Sequence, residues 1–361
     1  MLSNTVSPRK RPILEAICDE DDLESFEFTA LHHAVLRLSN DDLAKAIRDL
    51  LKQKNASIDD LDAHGRSAVS WAAQRGDFED LNDLLECGAS PDAPKGKKTP
   101  LIYAAGSTKS VACVVRLLAS GADPNIVDPA GLNALMWSCI NLQNHFGHVN
   151  PLLRATQLEA TDINGRTALF HAASKNLEPT QILLQASANV NHLDHNGYTA
   201  LHMAISYDHP EIFLALRDAH AIYTTATSTR QTILHHAAVY ASVDMLHTMM
   251  VCQLRELDVE AIDLEGCKPR DRLALRVPSA NETLANAFEC LLDQVQRLKR
   301  GTFEEEGTSP TSSSVSHNWH TASEGGPSYA ASAVSTEDES SLLEDEAAFD
   351  AIVDAIANTN S

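Results

Sequence analysis

Sixteen histidines stand in this chain of 361 residues, and two pairs of them have a spacing that could hold a metal ion: His145 with His148, and His192 with His195. A structural zinc site needs four ligands, and a catalytic one needs three and a water. Neither pair has a cysteine or carboxylate set to complete the count, and both fall in stretches that read as loops. No metal and no cofactor is expected. Nucleophilic catalysis needs a nucleophile, a base and an orienting group in one pocket. No phosphate-cradling Gly-rich loop, no G-x-S-x-G and no kinase signature occurs. The enzymatic alternative that remains is a hydrolase-like site on the loop carrying His145 and His148. Its mark would be activity lost with those two side chains. The chain is expected not to be an enzyme.

Charge and cysteine content narrow the class further. The formal net charge is −22. Residues 301–361 hold twelve Asp or Glu and no Lys or Arg. A polyanion is poorly suited to nucleic acid and suits contact with other proteins. Seven scattered cysteines without a C-x-x-C argue against a disulfide framework and for a reducing compartment. No apolar run is long enough to span a membrane, and no apolar stretch of the signal-peptide kind follows Arg9-Lys10-Arg11. Those basic residues admit an import-signal reading or that of a short charged terminus. The expected location is cytoplasmic, with a nuclear alternative.

The remaining His and Asp are placed by a period. From Asp162 the chain reads DINGRTALFHAASKNLEPTQILLQASANVNHL, and the opening returns as DHNGYTAL at Asp194. Asp162 and Gly165 suit a turn, and Thr167 can cap the helix after it. Leu169, Ala172 and Ala173 give that helix a small apolar face, and Ile182, Leu183 and Leu184 give a second. One such unit cannot bury its own apolar face, but a stack of them can.

The unit resembles the ankyrin repeat, with its T-P-L-H-x-A-A helix start and L-L-x-x-G-A-D-x-N return. The copies align on Thr29, Ser67, Thr99, Asn133, Thr167, Thr199, Thr232 and Lys268. Two positions on stand Leu31, Val69, Leu101, Leu135, Leu169, Leu201 and Leu234; five on stand Ala34, Ala72, Ala104, Ser138, Ala172, Ala204 and Ala237. The period matches the family's, about 33 residues. The resemblance implies an all-α ankyrin-repeat solenoid of helix-turn-helix units with hairpin loops. Apolar spacing near 3.6 predicts a C-terminal capping helix, and a Ser-, Thr-, Gly- and Glu-rich composition predicts a disordered acidic tail. Residues 1–26 are expected to be an acidic, disordered lead-in. About seven repeats and a partial one fill 27–275, the capping helix 276–300 and the tail 301–361. Within the tail, 342–357 have the spacing of an acidic amphipathic helix. In the fourth unit, residues 141–151 are expected to bulge. In the seventh, Arg230 stands where Gly belongs, and a distorted turn is expected.

The resemblance also implies roles. His32, His202 and His235 fall in the column that bonds neighbouring turns. The next column, His33, Trp71, Tyr103, Trp137, His171, Met203 and His236, is core. The hairpin tips and the exposed end of each first helix line a concave surface that holds a partner. Carried over, these positions are His64, Arg66, Gln74 and Arg75 in the second repeat, and Lys95 and Lys98 in the third. Leu132 and Asn141 follow in the fourth, Arg166 and Lys175 in the fifth, Tyr198 and Tyr207 in the sixth, and Tyr240 in the seventh. The row is basic and then tyrosine-bearing, and Tyr and Arg are types that concentrate binding energy. The expected function is non-enzymatic protein binding by a monomeric scaffold, adaptor or regulator, without direct nucleic-acid or membrane contact. The basic row would receive an acidic segment, of the partner or of the chain's own tail. The alternative is a nuclear transcriptional co-regulator or cytoplasmic-retention inhibitor with an acidic regulatory tail. Ser309, Thr336 and Ser341 are candidate phosphorylation sites, since added phosphate would deepen the tail's acidity.

Overall fold

A computed structural model describes residues 28–36, 45–47, 49, 57–94, 96–107, 111–140, 147–276 and 282–305. The calls on residues 1–26, Lys95, Asn141, His145, Ser309, Thr336, Ser341 and 342–357 lie outside them.

Each repeat begins with a hairpin whose geometry follows from its residues. In the fifth, Asp162 N–H donates to Arg166 O at 2.9 Å, and Gly165 N–H donates to Asp162 O at 2.9 Å. Asp162 Oδ1 accepts from the backbone N–H of Asn164 at 2.8 Å and of Arg166 at 2.9 Å. Gly165 has φ +77°, and a Cβ there would stand 2.5 Å from the His195 ring. Conformation and space both require glycine. The seventh hairpin keeps three of these four bonds without Asp or Gly. Thr227 N–H donates to Gln231 O and Arg230 N–H to Thr227 O, while Thr227 Oγ1 accepts from Gln231 N–H at 3.1 Å. Arg230 takes φ +60°. The turn is therefore regular, contrary to expectation. Its cost is a side chain held in the left-handed region, about 1–2 kcal/mol.

After each hairpin comes an inner helix, then an outer one. The inner helices are α1 (Ala30–Val35), α2 (Ala68–Arg75), α4 (Pro100–Ala105), α6 (Ala134–Ile140), α8 (Ala168–Ala173), α10 (Ala200–Ser206), α12 (Ile233–Tyr240) and α14 (Pro269–Arg276). The outer ones are α3 (Phe78–Glu86), α5 (Val111–Ala119), α7 (Val149–Ala155), α9 (Leu177–Gln185), α11 (Pro210–Asp218) and α13 (Val243–Val251). Among the described residues β-pairing is confined to one isolated bridge, Leu61 with Ser67. Inner helices pack on inner and outer on outer along the chain. The aligned Leu and Ala columns make the seam: Leu101, Leu135, Leu201 and Leu234 are fully buried, as are Ala72, Ala104, Ala172 and Ala204. Each buried leucine contributes about 1.5–3 kcal/mol, and each alanine lets the next helix come close.

Caps vary with the third helical residue. Where it is His, the cap is reciprocal: Thr199 Oγ1 lies 2.9 Å from His202 Nδ1, and Thr199 N–H donates to that nitrogen at 3.2 Å. Thr167 has the N-cap backbone but accepts no bond through its hydroxyl. Phe170 N–H donates to Thr167 O instead, which corrects the expected role. In the fourth repeat, 149–151 are helical and not part of a bulge, and α7 ends at extended Thr156 without a left-handed cap. The last helix, α15 (Glu282–Glu305), packs on α13 through Phe288, Leu291, Leu292 and Val295. It runs past residue 300, into the segment read as tail.

Candidate functional site

The hairpin Asp has a second oxygen, and its partner ties the hairpin to the inner helix. Asp62 Oδ2 accepts from Trp71 Nε1 at 2.9 Å. Asp128 Oδ2 accepts from Trp137 Nε1 at 3.0 Å, and Asp162 Oδ2 meets His171 Nε2 at 3.1 Å. Asp263 Oδ2 accepts from Arg272 Nε at 2.6 Å. In each case the donor stands nine residues on, so hairpin and inner helix are locked together. These Asp side chains are buried, and a buried carboxylate needs such partners. Asp194 has Met203 at that position, whose side chain carries no N–H. Its donor comes from the previous repeat, where Arg166 Nε reaches Asp194 Oδ2 at 3.3 Å.

This pairing was missed in the sequence, although the signal was present. Asp and a donor recur nine apart, but the donors are Trp, His and Arg, which share only an N–H at the right reach. The same column was read as core. That holds for Trp71, Met203 and His236, which are buried. Tyr103, Trp137 and His171 are half-buried and His33 is exposed.

The partner-surface residues divide into two sets. Those before the capping column lie against the array. Arg66 stacks 4.5 Å over Trp71 and 5.3 Å over Tyr103, and donates to Gln74 Oε1 at 3.2 Å. Lys98 Nζ sits 3.5 Å above the Trp137 ring, and burial holds its pKa below the usual lysine value. Arg166 lies 5.7 Å over Phe170 as well as pairing with Asp194. Leu132 is half-buried on the core. Arg75, at the end of α2, donates to Val35 O and pairs with Asp77 at 3.5 Å. The cations of repeats two to five are thus largely engaged within the array. His64 is exposed at its hairpin tip, and its carbonyl accepts from Lys97 Nζ at 3.3 Å.

The second set faces water at the ends of the later inner helices. Lys175 is exposed. Tyr207 is 56% exposed and Tyr240 49%. Beneath them lies an aromatic group that the sequence did not reveal. Tyr198 meets His202 and His236 edge-on at 5.8 and 5.2 Å, the two imidazoles lie 5.2 Å apart, and Tyr240 stacks on His236 at 6.0 Å. Burial drives both imidazoles towards the neutral form, His202 to a pKa of about 3 and His236 to about 4.

The turn-bonding column is correct for two of its three histidines. His32 Nε2 meets Arg66 O at 2.9 Å and His235 Nε2 meets Cys267 O at 3.1 Å. His202 Nε2 is buried without a partner, and the His236 ring lies 5.2 Å from its own. The metal-spaced pair His192 and His195 braces the fifth hairpin: His192 Nε2 meets Gly165 O at 2.9 Å, and His195 packs over Gly165. His148 is buried. Among the described residues no three His, Cys, Asp or Glu side chains are grouped to hold a metal. No helix there is long and apolar enough to cross a membrane.

Comparison with known proteins agrees with this geometry. A family model described as ankyrin repeats (3 copies) matches residues 70–162, 101–194, 144–228 and 180–263. The potassium channel AKT2/3 of Arabidopsis thaliana is 31% identical over 179 residues, 49% of this chain and 21% of the channel. The nuclear factor NF-kappa-B p105 subunit of Gallus gallus is 26% identical over 198 residues, 54% of this chain and 16% of that protein. This chain thus spans less than a quarter of either relative. The crystal structure of the human ASB11 ankyrin repeat domain superposes with a TM-score of 0.52 at 22% identity, covering 63% of this chain and 98% of that one. Among the described residues the array is helical apart from one isolated bridge, the fold of ankyrin-repeat interaction domains. With the matched residues running from 70 to 263, over half of its length, the chain belongs to the ankyrin-repeat family.

Proposed function

We propose that the concave edge of the array is the recognition surface for another protein, with Lys175, Tyr198, Tyr207 and Tyr240 at its centre. Arg66, Gln74, Arg75, Lys98, Leu132, Arg166 and His64 frame it, and Lys95 and Asn141 belong to the same set by their place in the repeat. The observation that carries this is the exposure of Tyr207 and Tyr240, each about half open, at the same place in successive repeats. Two tyrosines on one rigid edge are the type of side chain on which binding energy concentrates.

The same surface serves a passive scaffold or a regulator that retains or co-activates a nuclear partner. The second role has the better support: the similarity to the p105 nuclear factor subunit, the basic Arg9-Lys10-Arg11, and the acidic residues 301–361. In this reading the chain is monomeric, moves between cytoplasm and nucleus, and meets an acidic segment of a protein without direct nucleic-acid or membrane contact. Phosphate on Ser309, Thr336 or Ser341 adds to the tail's charge. Proximity labelling of the full chain in its own cells, beside a Tyr207→Ala/Tyr240→Ala variant, tests the proposal. The expected result is a nuclear protein labelled by the parent and lost from the variant. Equal labelling by both would overturn the surface; labels confined to cytoplasmic proteins would return the scaffold role.

A further inference from the structure

The uncovered part of the concave edge is apolar at its centre and cationic at its ends. Tyr207 ends α10, Tyr240 ends α12, and Leu275, near the end of α14, is 66% exposed. The helices α10, α12 and α14 are successive neighbours. Tyr207 and Tyr240 stand at the same place in their repeats, eight residues on from Thr199 and Thr232, so they follow one another at about 8–10 Å, the spacing of packed helices. In the next repeat Arg276 fills that place, and Leu275 stands beside it. One repeat before Tyr207 stands exposed Lys175. Beside Leu275, Arg276 Nη1 donates to Ala238 O at 3.3 Å and Ala241 O at 3.0 Å. Neither cation forms an ion pair among the described residues, whereas Arg75 and Arg166 are paired with carboxylates.

The sequence holds a segment of matching character. Residues 342–357 read LLEDEAAFDAIVDAIA, with Phe349, Ile352, Val353 and Ile356 at i, i+3, i+4 and i+7, five acids and no Lys or Arg. On a helix the four apolar groups make one stripe bordered by carboxylates. Its reach suffices. The capping helix α15 packs on α13, the outer helix of the seventh repeat, so the chain leaves the array at the end that carries the strip. Residues 306–341 then span about 30 Å even as a random coil.

We propose that residues 342–357 of this chain dock on the Tyr207–Tyr240–Leu275 strip, apolar stripe inward and carboxylates towards Lys175 and Arg276. The inference rests on the functional reading above in one respect, that a partner uses the same edge and must displace the tail. Because the contact is intramolecular, the effective concentration is in the millimolar range, and a weak contact suffices to fill the strip. The surface covered is that of repeats five to eight and not the face of Arg66, Arg75, Lys98 and Arg166, which already lie on rings and carboxylates.

Hydrogen exchange on the full-length chain tests this. With a site affinity near 100 μM, amides of 342–357 should exchange about tenfold more slowly than in the full-length Phe349→Ser/Ile352→Ser variant. The same protection should vanish in Tyr207→Ser/Tyr240→Ser, with exchange in the array unchanged and a monomeric mass by light scattering. Unprotected amides in the parent chain, or protection that survives loss of both tyrosines, would overturn the proposal. Protection that grows with concentration alongside a dimeric mass would also overturn it, in favour of a second copy on the strip. A partner that cross-links at Tyr240 while the tail stays unprotected would remove the tail and leave the functional reading in place.

Discussion

Arg166 of the fifth repeat donates Nε to Asp194 of the sixth at 3.3 Å, and the Asp194 side chain is fully buried. Asp62, Asp128 and Asp162 take the equivalent bond from a side chain nine residues ahead in their own repeat. Met203 occupies that position in the sixth repeat, and the bond is made across the repeat boundary. One column thus satisfies the same carboxylate in two ways, within a unit or between units.

Arg166→Ala should therefore destabilise the array, by about 1–3 kcal/mol, the cost of leaving a buried acceptor short of a bond. The guanidinium is about a third exposed, which keeps the loss below that of a fully buried pair. Adding Met203→His to this variant restores a donor at the nine-residue position and should recover most of the loss. Urea unfolding of the parent, the single and the double variant checks this. A single variant within about 0.5 kcal/mol of the parent would show that Asp194 does not depend on Arg166.

Arg230→Gly should stabilise the chain. The seventh hairpin holds Arg230 at φ +60° in the position that Gly165 and Gly197 fill at +77° and +78°. Relief of the left-handed strain is offset by the extra freedom of glycine in the unfolded chain, leaving a gain of about 1 kcal/mol. The midpoint of urea unfolding should rise with an unchanged slope. A lower midpoint would mean that the Arg230 side chain contributes more than its backbone costs.

These two sites mark where the sequence stops being legible. Leu101, Leu135, Leu201 and Leu234 could be placed because a period fixes burial without reference to any partner. The Asp–donor pairing could not, because Trp71, His171 and Arg272 look alike only once their nitrogens are in place. Nor could composition distinguish a lysine in water from Lys98 on the Trp137 face. The basic row read as a docking surface is therefore in large part a set of braces. The turn at Arg230 was misread for a related reason. A hairpin is held by its backbone bonds, and Thr227 supplies through its hydroxyl what Asp supplies elsewhere.

Stability should fall between pH 7 and pH 5, and His202 and His236 should account for much of the fall. Burial holds the first at a pKa of about 3 and the second at about 4, against an ordinary 6.5. The unfolded chain then binds protons that the folded one refuses, so stability is full above about 6.5 and declines as pH drops towards the folded values. The groups that meet the pair include Tyr198, Tyr240, Thr199 on His202 Nδ1, and Ser206, whose Oγ lies 3.1 Å from His236 Nδ1; the charge that acts on His236 is that of His235, which disfavours an imidazolium further. At up to about 1.4 kcal/mol per pH unit for each group, the loss by pH 5 is about 2 kcal/mol per histidine. Urea unfolding of the parent and of His202→Gln/His236→Gln at both pH values measures it. Equal pH dependence in the two proteins would show that the pair does not titrate on unfolding.

Exposed and braced residues of the concave edge should separate in a paired measurement of stability and binding. Tyr207→Ala should change unfolding free energy by less than about 0.5 kcal/mol, as substitutions of open side chains do. It should weaken partner capture by about tenfold or more, since a truncated tyrosine anchor costs 1–2 kcal/mol or more. Arg66→Ala should behave in the opposite way. Its guanidinium lies on Trp71 and Tyr103 and bonds Gln74, so its loss should reduce stability by about 0.5–2 kcal/mol. Any change in capture should then be small and follow the unfolded fraction. Titrating the captured partner against each variant, with urea unfolding of the same preparations, gives both quantities. If Arg66→Ala abolished capture while leaving stability intact, the working face would lie over repeats two to four, and the tyrosines of repeats six and seven would lose their assigned role.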